Sequence, residues 1–352
     1  MNDHRPGAAD PRLDLLHHWL QHDLGLAGYA FAPASADASF RRYFRVTLAG
    51  GVTRVVMDAP PDKENVEPYL QVAGMFADIG VNAPRVLERD ARHGFLLMTD
   101  LGTRMYLPEL ARDGHADALY GDAFDALVRI QARGGAHSRQ LPPYDEKLLR
   151  LEMRLFPDWL LARHLGLELT AAESQMLAAG MDALVALCLG TPQVFVHRDY
   201  HSRNLMVCPG ANPGILDFQD AVRGPLTYDV VSLLRDSYIA WPQDRVAAWA
   251  LDYRRRAAAA GLDTGRDDAE FLRWFDLVGL QRHLKVGGIF ARLWHRDGKA
   301  GYLADIPRTL QYAVGACRRH ADFAALGEFI ERRVLPPLIA QLEGGAPPVV
   351  RG

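Results

Sequence analysis

The chain has 352 residues, 49% of them apolar and 24% charged, enough to bury a large core shared between two lobes. Forty basic side chains stand against forty-three acidic ones, a formal net charge of -3 that supplies no overall basic field for nucleic acid or an anionic membrane. Cys188, Cys208 and Cys317 lie far apart without CxxC spacing, which speaks against a disulfide framework or a structural zinc site. Residues Met1 to Asp10 have no apolar segment behind them, and no stretch approaches the length of a membrane span, so a cytoplasmic protein is expected.

In chain order, a short helical segment is predicted around Leu13 to Leu24. Two strands follow, Phe44 to Leu48 and Thr53 to Asp58, joined by the hairpin signal Ala49-Gly50-Gly51. From Glu64 to Ile79 the apolar residues Val66, Tyr69, Leu70, Ala73, Phe76 and Ile79 recur at helical spacing, and Gly80 ends the pattern. Strands are predicted at Arg85 to Arg89 and Phe95 to Thr99, separated by the polar turn Asp90 to Gly94. Helical periodicity then dominates, at Tyr120 to Ala132, Leu148 to Leu165 and Ala171 to Leu189. Short β segments return at Val194 to His197, Leu205 to Cys208 and Gly214 to Phe218 before helices resume to about Leu342. The expected organisation is an N-terminal lobe over 1–99, a hinge over 100–103 and a helical C-terminal lobe over 104–345. Arg254-Arg255-Arg256 fits a solvated helix better than a nucleic-acid patch.

The chemistry concentrates in His197-Arg198-Asp199-Tyr200-His201-Ser202-Arg203-Asn204, followed after a β-turn-β interval by Leu216-Asp217-Phe218. This is H-x-D-x-x-x-x-N with a later D-F, the order of a kinase catalytic loop and its metal-binding aspartate. Phosphoryl transfer needs a carboxylate that accepts the hydroxyl proton, here Asp199, and oxygen donors for magnesium, here Asn204 and Asp217. His197 is expected to organise the loop rather than act as a base. Asp229 opens the apolar run Val230, Val231, Leu233, Leu234, where its expected role is an N-terminal cap.

At these residues the chain resembles the aminoglycoside phosphotransferase and choline kinase superfamily over roughly residues 30 to 330. The resemblance implies an α+β, bilobal protein-kinase-like fold with a small antiparallel β-sheet N-lobe, a mainly helical C-lobe, and ATP and magnesium as cofactors. The segments from Ser39 to Val46, Val56 to Pro61 and Leu97 to Gly102 are similar to the bacterial anomeric N-acetylmuramate/N-acetylglucosamine kinases of cell-wall recycling. That likeness implies phosphorylation of the C1 hydroxyl of a free amino sugar to the α-1-phosphate. It also implies Asp199 as base, Asn204 and Asp217 on magnesium, and Arg203 facing the phosphates or the sugar.

The N-terminal lobe departs from the kinase pattern. The loop candidate Ala34 to Ser39 has no glycine, and methionine, Met57, stands where the strand lysine is expected. Phosphate binding is therefore expected from the hydroxyls of Ser35 and Ser39 and from the guanidinium groups of Arg41, Arg42 or Arg45. Adenine is expected against Met98, with backbone bonds around Thr99 to Leu101. Candidates for the sugar are Glu152, Arg154 and Trp159 in one helix and Gln281, Arg282, His283 and Lys285 in another, where the basic cluster favours a neutral or anionic sugar over a cationic aminoglycoside. The alternatives are an aminoglycoside or other small-metabolite phosphotransferase and a catalytically silent scaffold, against which the retained Asp199, Asn204 and Asp217 argue. The partner expected is a small-molecule substrate, with no nucleic acid, membrane or obligate protein partner.

Overall fold

The computed structural model describes residues 10–36, 40–112 and 114–344. In chain order it contains α1 (Pro11–His18), β1 (Ala30–Ala36), β2 (Arg42–Thr47), β3 (Thr53–Asp58), α2 (Glu67–Ile79), β4 (Val86–Asp90), β5 (Phe95–Thr99), α3 (Tyr106–Leu110), α4 (Ala116–Arg133), α5 (Gly135–Ser138), α6 (Glu146–Met153) and α7 (Ala171–Gly190). There follow β6 (Gln193–Val196), β7 (Leu205–Met206), β8 (Gly214–Ile215), β9 (Val222–Pro225), α8 (Tyr228–Leu234), α9 (Gln243–Ala259), α10 (Asp268–Asp297), α11 (Ile306–Arg319), α12 (Ala324–Phe329) and α13 (Leu335–Glu343). The chain forms two compact units, one reaching Arg104 and regaining the chain at Met206–Asp220, the other made of Met105–Leu205 and the residues from Ala221 onward.

The first unit is built on a five-stranded antiparallel sheet in the order β1-β2-β3-β5-β4. Alternation along the strands turns Phe44, Val46, Val56, Phe95 and Leu97 to one face, where Leu16 and Leu20 of the first helical segment and Trp19 pack against them. Helix α2 buries Tyr69, Val72, Met75, Phe76 and Ile79 and stops at Gly80, which takes the left-handed conformation at φ 80°. At the β4–β5 turn, a side chain on Gly94 would stand 1.9 Å from the carbonyl oxygen of Ala59, so only glycine permits that approach. Strand β1 escapes sequence patterning: Ala-Phe-Ala-Pro-Ala-Ser-Ala has weak β propensity, and its pairing with β2 shifts register between Pro33 and Ser35. As the edge of the sheet it tolerates the proline, which lacks an N–H for a ladder. The segment expected as a phosphate loop thus begins as strand through Ala36, and 37–39 lie outside the described residues.

The second unit is mainly helical, with the two-stranded ladder β6–β9 and the 30-residue helix α10, which runs buried for most of its length. The predicted helix over Leu148 to Leu165 is α6 followed by a π-helical stretch, Phe156–His164. Pro157 at the join cannot donate a helical hydrogen bond and opens the wider turn. Contrary to the sequence expectation, α7 is long and apolar enough to cross a membrane by length and composition. In the fold it buries Leu177, Leu184, Val185 and Cys188 within the unit, while Asp182 pairs with Arg150 at 2.5 Å.

Candidate active site

The loop from His197 to Asn204 joins β6 to β7 and is held by two buried acids of the second unit. Asp229 accepts the backbone N–H of His197 at 2.7 Å and of Arg198 at 3.0 Å. Asp236 accepts the Ser202 N–H at 2.9 Å and its hydroxyl at 2.5 Å. Between these anchors Arg198 adopts φ 78°, a left-handed conformation that costs a non-glycine residue on the order of 1 kcal/mol and persists because its surroundings over-determine it. Inside the loop the Asp199 N–H donates to Nδ1 of His197 at 3.3 Å, which fits the organising role expected of that histidine. The side-chain amide of Asn204 donates to the Asp199 carbonyl at 3.0 Å, so Asn204 is coupled to Asp199 through the backbone.

The cap expected of Asp229 is not where the structure puts it. Helix α8 begins after Thr227, and the fully buried Asp229 carboxylate turns back to the loop. Burial pushes its pKa up to about 7 against the pull of the two N–H donors. Asp229, expected only as a cap, and Asp236, which the sequence reading did not single out, both anchor this loop. For Asp229 the available signal was an aspartate in the first turn of an otherwise apolar helix, which must find a buried partner.

Asp199 has the opposite balance. Burial raises its pKa, but the electrostatic pull of Lys285, His201, Arg198 and Arg282 outweighs it and holds the carboxyl below the ordinary value. The carboxylate is therefore ionised and able to accept a proton at neutral pH.

Two of these groups, Arg198 and Lys285, belong to one buried polar assembly. Glu152, on α6, pairs with Arg198, accepts the Tyr144 hydroxyl, and lies 3.1 Å from Nζ of Lys285. Lys285 also donates to the Tyr228 hydroxyl at 3.0 Å, and Gln281 donates to the Tyr144 hydroxyl at 3.1 Å. Burial works against the charge on Lys285, yet Glu152 and its neighbours hold its pKa above the ordinary value. Of the sugar candidates, then, Glu152, Gln281 and Lys285 are brought together beside the loop, with their polar atoms turned on one another. Arg282 and His283 are buried on the same helix. Nη1 of Arg282 and both ring nitrogens of His283 have no hydrogen-bond partner among the described residues, and burial together with Arg282 and Arg235 keeps His283 neutral, its pKa well below the ordinary value. Trp159 is half-buried under the guanidinium of Arg163 at 5.0 Å, and Arg154 is exposed beside Asp158. Arg203 is exposed and stacks on Tyr238 at 4.6 Å and Tyr302 at 5.8 Å.

In the first unit, Asp217 also adopts a left-handed conformation, φ 60°. Gln219 donates to its Oδ1 at 2.8 Å, and Arg41 stands 3.5 Å from the same oxygen. Phe218 seats this turn between the rings of Tyr69 and Phe76. The arginines proposed for phosphate separate sharply. Arg42 is committed: its Nε donates to Asp58 at 2.9 Å and its two terminal nitrogens to Asp58 and Asp10. This corrects the expectation for Arg42, because Asp58 is fully buried and demands that charge. Arg45 is likewise held by Asp100 at 2.6 Å and by the Gly102 carbonyl at 2.8 Å. Arg41 alone of the three lies beside the D-F turn. Met57 is fully buried, as is Met98, and the Thr99 hydroxyl accepts the Arg85 N–H at 2.9 Å. The Leu101 carbonyl accepts the Cys208 thiol at 3.4 Å. Ser39 and the side chain of Ser35 lie outside the described residues.

Asp217 is one-third exposed and Asn204 half-buried, a carboxylate and an amide of the hard-oxygen type that magnesium takes. Among the described residues, no group of three or more His, Cys, Asp or Glu side chains comes together as a softer metal site would require.

Residues 30–274 match the model of a phosphotransferase enzyme family. The chain is 50% identical to an N-acetylmuramate/N-acetylglucosamine kinase of Pseudomonas aeruginosa, covering 85% of this chain and 87% of that protein. It is 44% identical to the kinase of the same description from Pseudomonas putida, covering 96% and 98%. Among solved structures, it resembles an ethanolamine kinase of Plasmodium vivax (TM-score 0.60, 10% identity, 88% and 89% covered). It also resembles a choline kinase of Streptococcus pneumoniae (TM-score 0.59, 9% identity, 86% and 99% covered), which identifies the protein-kinase-like fold.

Proposed function

The chain belongs to the phosphotransferase enzyme family, and on that premise we propose that it is a cytoplasmic sugar kinase acting on N-acetylmuramate and N-acetylglucosamine. The acceptor is the anomeric C1 hydroxyl and the product the α-1-phosphate, which serves peptidoglycan recycling. ATP is the donor: when bound, it supplies the γ-phosphoryl group, and magnesium neutralises charge developing on its phosphates. Asn204 and Asp217 are the proposed magnesium ligands.

The observation that carries this reading is the state of Asp199. Its carboxylate is ionised among cations, in a loop whose backbone is tied by Asp229 and Asp236. A fixed, ionised carboxylate accepts the proton of the C1 hydroxyl, which is more acidic than an ordinary alcohol, so a base of low pKa suffices late in a loose transition state. Arg282, buried near Asp199 with an unpaired Nη1, is the proposed contact for an oxygen of the acceptor. His283, Trp159 and Glu152 are proposed to line the sugar side, Glu152 by holding Lys285 and Arg198. Arg41 is the proposed phosphate ligand in place of the missing strand lysine, with Met98, Thr99 and Leu101 toward adenine.

The test measures ATP consumption with N-acetylmuramate, N-acetylglucosamine and kanamycin side by side, together with loss of sugar reducing ends. Consumption with both amino sugars and matching loss of reducing ends is expected. Reducing ends that survive while ATP is consumed would exclude the anomeric acceptor, and turnover of kanamycin alone would exclude the amino sugar.

A further inference from the structure

Helix α10 carries a second, unassigned feature along the flank that holds Lys285. Arg282, Lys285, Ile289 and Arg292 follow one another at intervals of three, four and three residues, which places them on one side of the helix. Burial declines along this flank: Arg282 and Lys285 are buried, whereas Ile289 and Arg292 are only partly so. The helix can follow this course because Gly288 has no side chain. A Cβ there would stand 2.4 Å from the Leu155 carbonyl oxygen, so glycine lets the backbone before the Phe156–His164 stretch lie directly on α10.

The cations around this flank are nearly all matched. Lys285 has Glu152, Arg296 has Asp297 at 2.7 and 2.9 Å, and Arg163 lies over Trp159. Arg292 differs. Its Nε is buried without a hydrogen-bond partner, and no carboxylate among the described residues lies within ion-pair distance of it. A half-buried guanidinium with an empty donor position costs stability unless an anion or ordered water completes it.

We propose that Arg292 is the residue that distinguishes N-acetylmuramate from N-acetylglucosamine, by pairing with the carboxylate of the lactyl ether. The inference rests on the functional reading above and deepens it. The two sugars share the C1 hydroxyl, and the lactyl arm on C3 is the only anionic group of either. With C1 at Asp199, at the Lys285 end of the flank, the arm points along the helix toward its more exposed end. Lys285 and Arg292 are separated by seven residues, about 10 Å along the axis, a span suited to a pyranose, its ether arm and a hydrogen bond at each end. Lys285 itself is the poorer carboxylate ligand, because Glu152 and the Tyr228 hydroxyl already occupy two of its three donors and Glu152 neutralises its charge. Guanidinium binds a carboxylate through two parallel N–H donors, so the pairing also fixes the rotation of the sugar.

The experiment compares kcat/KM for the two sugars in the unaltered protein, Arg292→Gln and Arg292→Lys, with a melting curve for each. The ratio of kcat/KM for N-acetylmuramate to that for N-acetylglucosamine is expected to fall about 10- to 100-fold in Arg292→Gln, the loss of one charge-assisted hydrogen-bonded pair. Arg292→Lys retains the charge and should recover part of the ratio, and added salt should raise KM for N-acetylmuramate more than for N-acetylglucosamine. An unchanged ratio in Arg292→Gln, or the same ratio in a variant that loses both activities with a native melting curve, overturns the inference while leaving the kinase reading intact. Should Arg292→Gln melt early, an unchanged ratio in a natively melting Arg292→Lys, paired with no difference in salt response, overturns it equally. Failure of the unaltered protein to phosphorylate either sugar overturns the functional reading itself and is seen before any variant is made.

Discussion

The two units solve the problem of buried charge in different ways. In the first, Asp58 is fully buried under the sheet, and Arg12 and Arg42 are drawn in to neutralise it, Arg42 also reaching Asp10. Those ion pairs hold strands and helix together and leave Arg41 as the cation beside Asp217. In the second, buried acids are spent on a loop. Asp229 and Asp236 tie its backbone, and Glu152 gathers Arg198 and Lys285 so that Asp199 stands ionised among cations. A charge network that closes on itself gives rigidity, whereas one left with an excess of positive charge around a carboxylate keeps that carboxylate ionised.

The sharpest break in this contrast is Asp199→Asn, which should lower kcat by about 10²- to 10⁴-fold with an unchanged melting curve. Near-normal turnover would remove the proposed base. Next in size is Glu152→Gln, which leaves Arg198 and Lys285 in the interior without their carboxylate. Loss of about 3–5 kcal/mol in chemical denaturation is expected, the cost of breaking a buried pair, and a loss below 1 kcal/mol would show that the assembly is not held by charge.

In the first unit the comparison is between neighbours. Arg41→Ala should raise KM for ATP about tenfold, the loss of one charge-assisted contact, with little effect on stability. Arg42→Ala should instead lower stability by uncovering Asp58, leaving KM for ATP within a few-fold. Met57→Ala should likewise cost about 2–5 kcal/mol through a core cavity without changing that KM. Reversed effects at Arg41 and Arg42 would invert the assignment.

The remaining expected effect is in acid. Burial, helped by His295, holds the His164 pKa down to about 4, so the folded protein resists protonation at a residue that the unfolded chain protonates near 6.5. The neutral form thus contributes stability that is fully present above pH 6.5 and is lost as pH falls toward 4, at up to about 1.4 kcal/mol per pH unit. Melting temperature followed over that range should decline less steeply in His164→Gln than in the unaltered protein. Parallel curves would assign the acid sensitivity elsewhere.

Strong periodicity makes several elements legible in the sequence. The β2–β3 hairpin, α2 and the β4–β5 hairpin each carry alternation or a 3.6-residue repeat bounded by glycine or a polar turn, and they lie within a few residues of expectation. Strand β1, rich in alanine and interrupted by Pro33, is a strand only because β2 offers it a partner. Strand β9 contains Gly224 and Pro225 and owes its form to β6 in the same way. The return of 206–220 to the first unit is also a product of tertiary contacts such as Phe218 between Tyr69 and Phe76.

The sequence by itself carried the proposed chemistry: Asp199, Asn204 and Asp217 stand in the order of a kinase catalytic loop and its later aspartate, and their spacing is a local property that a short loop and a turn preserve. Only the tertiary structure decided which charges serve that chemistry. Three arginines in five residues, 41, 42 and 45, look alike in a string, yet Asp58 and Asp100 claim two of them and leave the third beside Asp217. Asp229, indistinguishable in sequence from a helix cap, becomes an anchor of the loop from His197 to Asn204. The reason is physical: a buried charge takes its role from the partner that the fold brings within about 3 Å, and that partner is commonly tens of residues away.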